Sequence, residues 1–153
     1  YGLKYRRFDG PEGAPLLVLV HGSGWHGLQF VEMAQKLSEK ATVLVPDLRG
    51  HGTAPGRRGY IDYIAQLEDD LVDLITAVHV PGQKIVMGGH SSGGGLVARF
   101  AGSEYGTLLD GAVLLAPFLK HNAPTTQENS GAVSSTHLRS HDTVLALLCR
   151  PLL

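Results

Sequence analysis

Five residues near the middle of the chain, Gly89-His90-Ser91-Ser92-Gly93, place a serine between glycines in a G-x-S-x-G pattern. The pattern lies between an apolar run at residues 84–87 and an amphipathic segment at 92–103, which we interpret as a strand and a helix. A sharp turn between two such elements holds a serine hydroxyl above the sheet, and the following helix directs its first N–H groups toward negative charge. The pattern therefore predicts that Ser91 is a nucleophile for acyl transfer. A glycine-rich turn capped by serine is the purely structural alternative.

A second glycine-rich stretch, His21-Gly22-Ser23-Gly24, directly follows the apolar run at residues 16–20. Acyl transfer needs two hydrogen-bond donors for the oxyanion, one from the residue after the nucleophile and one from a loop after an earlier strand. Ser92 occupies the first position, and the His-Gly loop occupies the second. We expect the backbone N–H groups of Ser23 and Ser92 to form this oxyanion hole, with Gly24 the next candidate after Ser23.

The same stretch allows a different interpretation, because residues 22–27 also match the dinucleotide-binding pattern G-x-G-x-x-G. Asp47 lies at the end of the next predicted strand, where a dinucleotide-binding fold carries its ribose-binding acid. However, Trp25 and His26 are bulky at the point where a pyrophosphate must approach a bare loop. A dinucleotide-binding oxidoreductase is therefore the less favoured alternative, and it leaves the serine pattern unexplained.

A polar loop, Asp47-Leu48-Arg49-Gly50-His51-Gly52, follows the predicted strand 41–45, which Pro46 is expected to end. Asp47 and His51 have the side chains of an acid and a base for Ser91. A nucleophile at this kind of turn, however, takes its acid and its histidine from later in the chain. We therefore expect a structural loop whose polar residues brace the rim of the site.

Short apolar runs alternate with amphipathic segments through the first two-thirds of the chain. We predict strands at 16–20, 41–45, 84–87 and 112–116, with helices at 28–40, 61–78 and 92–103. Residues 1–8 are expected to add a hairpin or an edge strand. The acidic residues of the second helix are interpreted as its solvated side: Glu68, Asp69, Asp70 and Asp73. This alternation predicts a three-layer α/β/α fold with a parallel sheet and helices on both faces.

Composition excludes several classes of function. With 153 residues, 43% hydrophobic and 18% charged, the chain has the size of one domain with a buried core. A formal net charge of −1 gives no electrostatic footprint for nucleic acid, and no apolar run approaches the ~20 residues that span a bilayer. The single cysteine, Cys149, fits a reducing compartment such as the cytoplasm. The N-terminus lacks both Met and an apolar signal core, so it is interpreted as an internal or trimmed start.

Taken together and in this order, the motifs at 21–24, 47–52 and 89–94 resemble those of the α/β-hydrolases. The most similar subgroup is that of lysophospholipases, monoacylglycerol lipases and serine aminopeptidases, and the resemblance covers roughly residues 3–118. It implies a hydrolase of small-molecule carboxylic esters that needs no metal or organic cofactor. It also implies that Ser91 is the nucleophile, that the Ser23 and Ser92 amides form the oxyanion hole, and that the substrate lies near Gly24, Trp25 and His26.

The resemblance assigns no catalytic acid or histidine in this chain. The downstream candidates are His121, His137, His141 and Asp142, in a stretch rich in Ser and Thr. We therefore expect residues 1–118 to be the N-terminal half of a hydrolase core and 119–153 to be the start of a cap or an irregular tail. Such a chain is expected to be weakly active or inactive, or to act as a binding module. We also expect an open sheet edge after residues 112–116, through which copies of the chain self-associate.

Overall fold

The structure, a computed structural model, describes residues 2–119 and the backbone of 145–149. Its strands and helices are, in chain order, β1 (Lys4–Phe8), β2 (Leu16–Val20), α1 (Val31–Leu37), β3 (Thr42–Asp47), α2 (Gln66–Val78), β4 (Ile85–His90), α3 (Ser92–Gly102), β5 (Gly111–Leu115) and β6 (Leu145–Cys149). Short 3-10 helices at Gly27–Phe30 and Glu104–Leu108 precede α1 and β5. Among these described elements, no helix is long and apolar enough to cross a membrane.

The strands form one six-stranded sheet in the order β1-β3-β2-β4-β5-β6. The four inner strands are parallel to one another, as the alternation of strands and helices predicts. β2 lies near the middle of the sheet between β3 and β4, which accounts for its uninterrupted apolar sequence LLVLV. The carboxyl ends of β2, β3 and β4 therefore meet at one edge of the sheet, and all three polar motifs follow these ends.

The two outer strands are antiparallel to their neighbours. β1 pairs with β3 from Lys4↔Asp47 to Phe8↔Val43, so the first residues add an edge strand. The expectation that Pro46 ends β3 was wrong, since β3 continues to Asp47. The parallel register of β3 with β2 ends at Val18↔Leu44, so the missing N–H of Pro46 lies beyond that ladder.

The edge of β5, expected to be open, is paired in the structure. β6 lies antiparallel to it, from Gly111↔Cys149 to Leu115↔Leu145. β6 lies within residues 119–153, for which a cap start or an irregular tail is expected, and that division of the chain stays a prediction. Its sequence is apolar but too short to separate a strand from a buried helix by periodicity. Self-association of the chain stays a prediction, but the edge of β5 no longer supports it because that edge is paired with β6.

Buried apolar side chains form two clusters, one on each face of the sheet. The cluster on one face joins α2 and α3 to the sheet and includes Leu71, Val97 and Phe100. The other cluster includes Phe30 and Ala34, on the 3-10 helix and α1, packed against the opposite face. The predicted three-layer α/β/α arrangement with helices on both faces is therefore confirmed.

The second helix is shorter than the predicted range 61–78, and its acidic residues are not all exposed to solvent as expected. Ala65 has a positive φ of 79°, so the helix begins only at Gln66, and Ile64 before it is 82% exposed. Two of the acidic residues are buried rather than solvated, because Glu68 and Asp70 face arginines from other elements. Helical spacing alone gives no sign of such partners, so the interpretation of a wholly solvated acidic side was wrong for these two.

Phe100 supports a prediction about stability, since it is completely buried between α3 and the sheet. We expect Phe100→Ala to lower the free energy of unfolding by about 3–5 kcal/mol, because it removes apolar burial and leaves a cavity. Urea unfolding followed by circular dichroism measures the loss. Phe118→Ala is the matched control, since Phe118 is 37% exposed and its truncation should cost much less. Equal losses in the two variants would contradict the position of α3.

Candidate active site

Ser91 is the single residue between β4 and α3, and its backbone has φ 55° and ψ −122°. This positive φ is uncommon for a residue with a side chain and must be held by the surroundings. The Ser91 N–H donates to the carbonyl of Leu115 at 3.0 Å, and the Ser91 carbonyl accepts from the N–H of Phe118 at 2.8 Å. The end of β5 and the residues just after it therefore hold the backbone of Ser91 on both sides.

The two glycines of the G-x-S-x-G pattern are required by close contact between main chains. A Cβ atom on Gly89 would overlap the carbonyl of Gly93 across the turn. A Cβ atom on Gly93 would overlap the carbonyls of Val20 and His21, at the end of β2. The pattern thus records how closely α3 approaches both β4 and the loop after β2, as expected for a sharp strand-to-helix turn.

The His-Gly loop and the serine turn lie against each other. The backbone N–H of Ser23 donates to the Ser92 hydroxyl at 2.5 Å. A Cβ atom on Gly22 would lie 3.2 Å from the Ser91 Cβ. The sequence-predicted residues Ser23, Ser91 and Ser92 are therefore brought together, with the first turn of α3 supplying N–H groups that have no partner within the helix.

The residues expected to line the substrate lie on the same loop. Trp25 is 55% exposed, Gly24 is exposed with φ 75°, and His26 is half-buried just before the 3-10 helix. Next to Ser91, the His90 ring contacts the side chain of Gln29 at 2.8 Å, and burial lowers the pKa of His90. His90 therefore packs at the turn, and a contact of Trp25 or His26 with substrate stays a prediction.

His21 joins the loop after β2 to the loop after β3. Its ring is completely buried, with Nδ1 2.8 Å from the carbonyl of Gly22 and Nε2 3.0 Å from the N–H of Leu48. Because the Leu48 N–H must donate, Nε2 accepts and Nδ1 carries the proton. Burial lowers the pKa of His21 and favours this neutral form. Both ring nitrogens of His21 therefore form hydrogen bonds that hold the two loops together.

Asp47 is completely buried and accepts four hydrogen bonds. Oδ1 accepts from Arg6 at 2.9 Å and from the Gly27 N–H at 2.7 Å, while Oδ2 accepts from the Thr53 N–H at 2.9 Å and its hydroxyl at 2.8 Å. Burial alone would raise the pKa of the Asp47 carboxyl, but these donors hold that pKa well below its usual range. Neither carboxylate oxygen is available to bind a ribose or to orient a catalytic histidine. The dinucleotide-binding interpretation therefore loses the acid that it requires.

Arg49 braces the same loop against α2. Its guanidinium donates to both carboxylate oxygens of Asp70, at 2.8 and 2.6 Å, in a fork that fixes its orientation. His51 contacts the carbonyl of Arg49 through Nδ1 at 2.9 Å. The expectation that residues 47–52 are a structural, bracing loop is therefore confirmed by their hydrogen bonds.

No histidine in residues 2–119 forms a hydrogen bond with the side chain of Ser91. Four of the five histidine rings in this range have other partners: His21, His51 and His90 make the contacts given above, and His79 contacts the carbonyl of Gln83. The fifth is His26, on the loop after β2. The downstream candidates lie outside the described residues: His121, His137, His141 and Asp142. Within the described ranges, no group of three or more His, Cys, Asp or Glu side chains could hold a metal ion.

A groove of about 540 Å³ lies beside the serine turn. The sequence analysis did not predict it. Its walls come from the segment before α2, from α2, from α3 and from the chain after β5, including Ile61, Leu96, Phe118, Leu119 and Ser92. Glu68 and Arg99 also border it. These residues are far apart in the chain, and the only signal in the sequence was the apolar character of the stretch around residue 61.

Comparison with known proteins identifies relatives of this arrangement. The sequence pattern of the family described as serine aminopeptidase, S33, matches residues 12–144. The chain is 32% identical over 114 residues to an uncharacterised protein of Mycobacterium tuberculosis, and 30% identical over 109 residues to a monoacylglycerol lipase of Mycolicibacterium smegmatis. Its fold is similar to a crystal structure of a monoacylglycerol lipase from Paleococcus ferrophilus, with a TM-score of 0.68 and 30% identity.

The alignments cover most of this chain and less than half of each relative. They span 73% of the chain and 32% of the M. tuberculosis protein, and 66% of the chain and 39% of the M. smegmatis lipase. The structural match covers 87% of the chain and 49% of the P. ferrophilus lipase. The chain thus spans less than half the length of each of these relatives.

The backbone of Ser91 supports a prediction about strain. Glycine adopts a positive φ without a steric penalty, whereas alanine has the same backbone restriction as serine. We expect Ser91→Gly to be more stable to urea than Ser91→Ala by about 1 kcal/mol, since relief of strain exceeds the entropy that glycine adds to the unfolded chain. An alanine variant that is the more stable of the two would contradict a strained turn.

The buried Asp47 supports a prediction about pH. Because its folded pKa is depressed, its stabilisation is complete above an unfolded pKa of about 4 and declines as the pH falls below that value. We expect Asp47→Asn to lower the free energy of unfolding by about 3 kcal/mol at pH 7, and the difference from the unmodified chain to shrink between pH 4 and pH 2. Urea unfolding across this range measures both effects.

Asp9→Asn is the matched control for this experiment. Asp9 also pairs with an arginine, Arg7 at 2.6 Å, but its side chain is 76% exposed. Exposed pairs contribute little, so this variant should change stability only slightly at any pH. A loss as large as that of Asp47→Asn would show that the burial of Asp47 is not the cause.

Proposed function

Since the chain belongs to the serine aminopeptidase S33 family and has the α/β-hydrolase fold, we propose that it is a serine hydrolase of carboxylic esters. In this proposal Ser91 is the nucleophile, and the backbone N–H groups of Ser23 and Ser92 form the oxyanion hole once the Ser23 N–H exchanges its bond to the Ser92 hydroxyl for one to the oxyanion. The observation that carries it is the positive-φ turn at Ser91, held between β4 and α3 with the His-Gly loop against it. Backbone strain of this kind at a residue with a reactive side chain is a mark of a functional site.

The proposed reaction is an acyl transfer in two steps. Ser91 Oγ attacks the ester carbonyl, its proton passes to a histidine, and the alcohol leaves with that proton, which gives an acyl-enzyme. Water then attacks the acyl-enzyme, gives its proton to the same histidine, and releases the acid and free Ser91. The two N–H donors stabilise the negative oxygen of each tetrahedral intermediate. The histidine and its carboxylate come from outside the described residues.

The names of the relatives support the substrate class. Two of the proteins compared are named as monoacylglycerol lipases, and a further relative that is 34% identical over 85 residues is a pimeloyl-[acyl-carrier protein] methyl ester esterase of Chromobacterium violaceum. All three names denote cleavage of a carboxylic ester. We therefore propose a lipase-, esterase- or lysophospholipase-like substrate, with an ester bond as the common feature.

A non-catalytic binding module is the second candidate. It is favoured by the lack of a hydrogen bond from any described histidine to Ser91, which leaves the nucleophile without a base in residues 2–119. A chain of this kind would keep the turn and the groove but would not hydrolyse esters. Reactivity of Ser91 separates this candidate from the hydrolase.

An activity-based probe tests the proposal directly. If the chain is the weakly active hydrolase, we expect a fluorophosphonate to label it slowly and p-nitrophenyl acetate to be hydrolysed slowly at pH 8, because both reactions require an activated serine. Both signals should fall by at least 100-fold in Ser91→Ala, as measured by mass spectrometry of the labelled peptide and by release of nitrophenolate.

Ser38→Ala is the control for nonspecific labelling, since Ser38 lies at the end of α1 and its hydroxyl donates to the carbonyl of Gln35. It should keep both signals. Labelling that persists in Ser91→Ala would contradict the assignment of Ser91 as the nucleophile. A folded chain that neither labels nor hydrolyses would favour the binding module.

A further inference from the structure

The side chain of Gln29 lies between the loop after β2 and the serine turn. Gln29 is half-buried on the short 3-10 helix that precedes α1. Its Oε1 accepts from the backbone N–H of Gly22 in a long hydrogen bond of 3.4 Å, and its Nε2 lies 2.8 Å from Nδ1 of the His90 ring. Gly22 precedes the proposed oxyanion donor Ser23, and His90 precedes the proposed nucleophile Ser91. One amide group thus contacts both halves of the proposed site.

The main chain of Gly22 is held at both of its polar groups. The Gly22 carbonyl accepts from Nδ1 of His21 at 2.8 Å and from the N–H of Trp25 at 3.2 Å. The Gly22 N–H donates to Gln29. Because the carbonyl carbon of Gly22 is bonded to the nitrogen of Ser23 in a planar peptide group, these contacts fix the direction of the Ser23 N–H.

We propose that Gln29 is a positioning residue, which keeps the Ser23 N–H directed at the substrate oxygen while Ser91 forms the acyl-enzyme. This inference rests on the proposed function. In the free chain the Ser23 N–H donates to the Ser92 hydroxyl, and that bond must be exchanged for one to the oxyanion. The contacts of Gln29 involve neither of these two groups. They therefore persist through the exchange and hold the loop beside the serine turn.

The same contacts select the tautomer of the His90 ring. Because the Gly22 N–H can only donate, the oxygen of Gln29 faces Gly22 and the NH₂ group of Gln29 faces Nδ1 of His90. Nδ1 therefore accepts, and Nε2 carries the proton of the neutral ring. Burial favours this neutral form because it lowers the pKa of His90. The protonation of Nδ1 is thus a spectroscopic measure of the Gln29 contact that requires no reaction at Ser91.

NMR of Gln29→Leu and Gln29→Glu at pH 7 tests the two contacts. Leucine has no acceptor for the Gly22 N–H, so we expect hydrogen exchange at Gly22 to be at least tenfold faster than in the unmodified chain. Glutamate keeps an oxygen for Gly22, so this amide should stay protected. The second oxygen of the glutamate should make Nδ1 of His90 change from an unprotonated to a protonated nitrogen in ¹⁵N spectra. Gln35→Leu is the matched control, since Gln35 is exposed on α1, and it should change neither signal.

Kinetics with p-nitrophenyl acetate test the positioning role. We expect Gln29→Leu to lower kcat at least tenfold and to leave KM within about twofold, because a misdirected oxyanion donor is missed mainly in the transition state. Gln35→Leu should keep both constants, and Ser91→Ala shows how much of the activity depends on the proposed nucleophile.

The outcomes separate this inference from the proposed function. Serine-dependent activity whose kcat is unchanged in Gln29→Leu would overturn the positioning role and leave Ser91 as the nucleophile. An unmodified chain without activity that Ser91→Ala removes would contradict the proposed function, and the positioning role would fail with it even if NMR confirms both contacts. Unchanged exchange at Gly22 in Gln29→Leu, or a protonated Nδ1 of His90 in the unmodified chain, would overturn the contacts themselves. If Gln29→Leu does not fold, as judged by its thermal melt, Gln29→Glu decides through the His90 signal.

Discussion

The positive φ of Ser91 is the constraint on which the rest of the site depends. A residue with a side chain keeps this conformation only if its surroundings fix the backbone on both sides. The carbonyl of Leu115, at the end of β5, and the N–H of Phe118, three residues later, provide these bonds. The turn therefore needs the sheet to extend at least to β5, and it needs glycine wherever another main chain comes close, as at Gly93.

Two buried polar side chains fix the loops around this turn. His21 bonds to main-chain groups on both loops that follow β2 and β3, and Asp47 gathers donors from Arg6, Gly27 and Thr53. Because buried polar groups without partners are costly, each of these side chains makes the loop positions dependent on one another. Their polar atoms are used in these contacts, and the contacts hold the loops around the Ser91 turn in place.

The sequence allowed the turn to be predicted because its geometry demands particular residue types. The glycines of the G-x-S-x-G pattern and the His-Gly loop are local sequence patterns. They indicated β4, the turn at Ser91 and the backbone amides that lie beside this turn. The burial of Glu68 depends instead on Arg99, which lies on another helix, and the pairing of β6 with β5 joins segments about thirty residues apart. Periodicity within one segment contains no information about such partners, so these features required the structure.

The acidic run of α2 shows how the groove and the turn are joined. Asp70 is held by Arg49 from the loop after β3, Glu68 by Arg99 from α3, and Asp69 accepts from the hydroxyl of Tyr105 at 2.8 Å. Each acid thus fixes α2 to a different element, and α3 begins at the serine turn itself. A displacement of α2 would break charged or hydrogen-bonded contacts with all three elements, so one wall of the groove keeps its position relative to Ser91. The same residues that periodicity suggested were a solvated surface therefore connect the groove to the site.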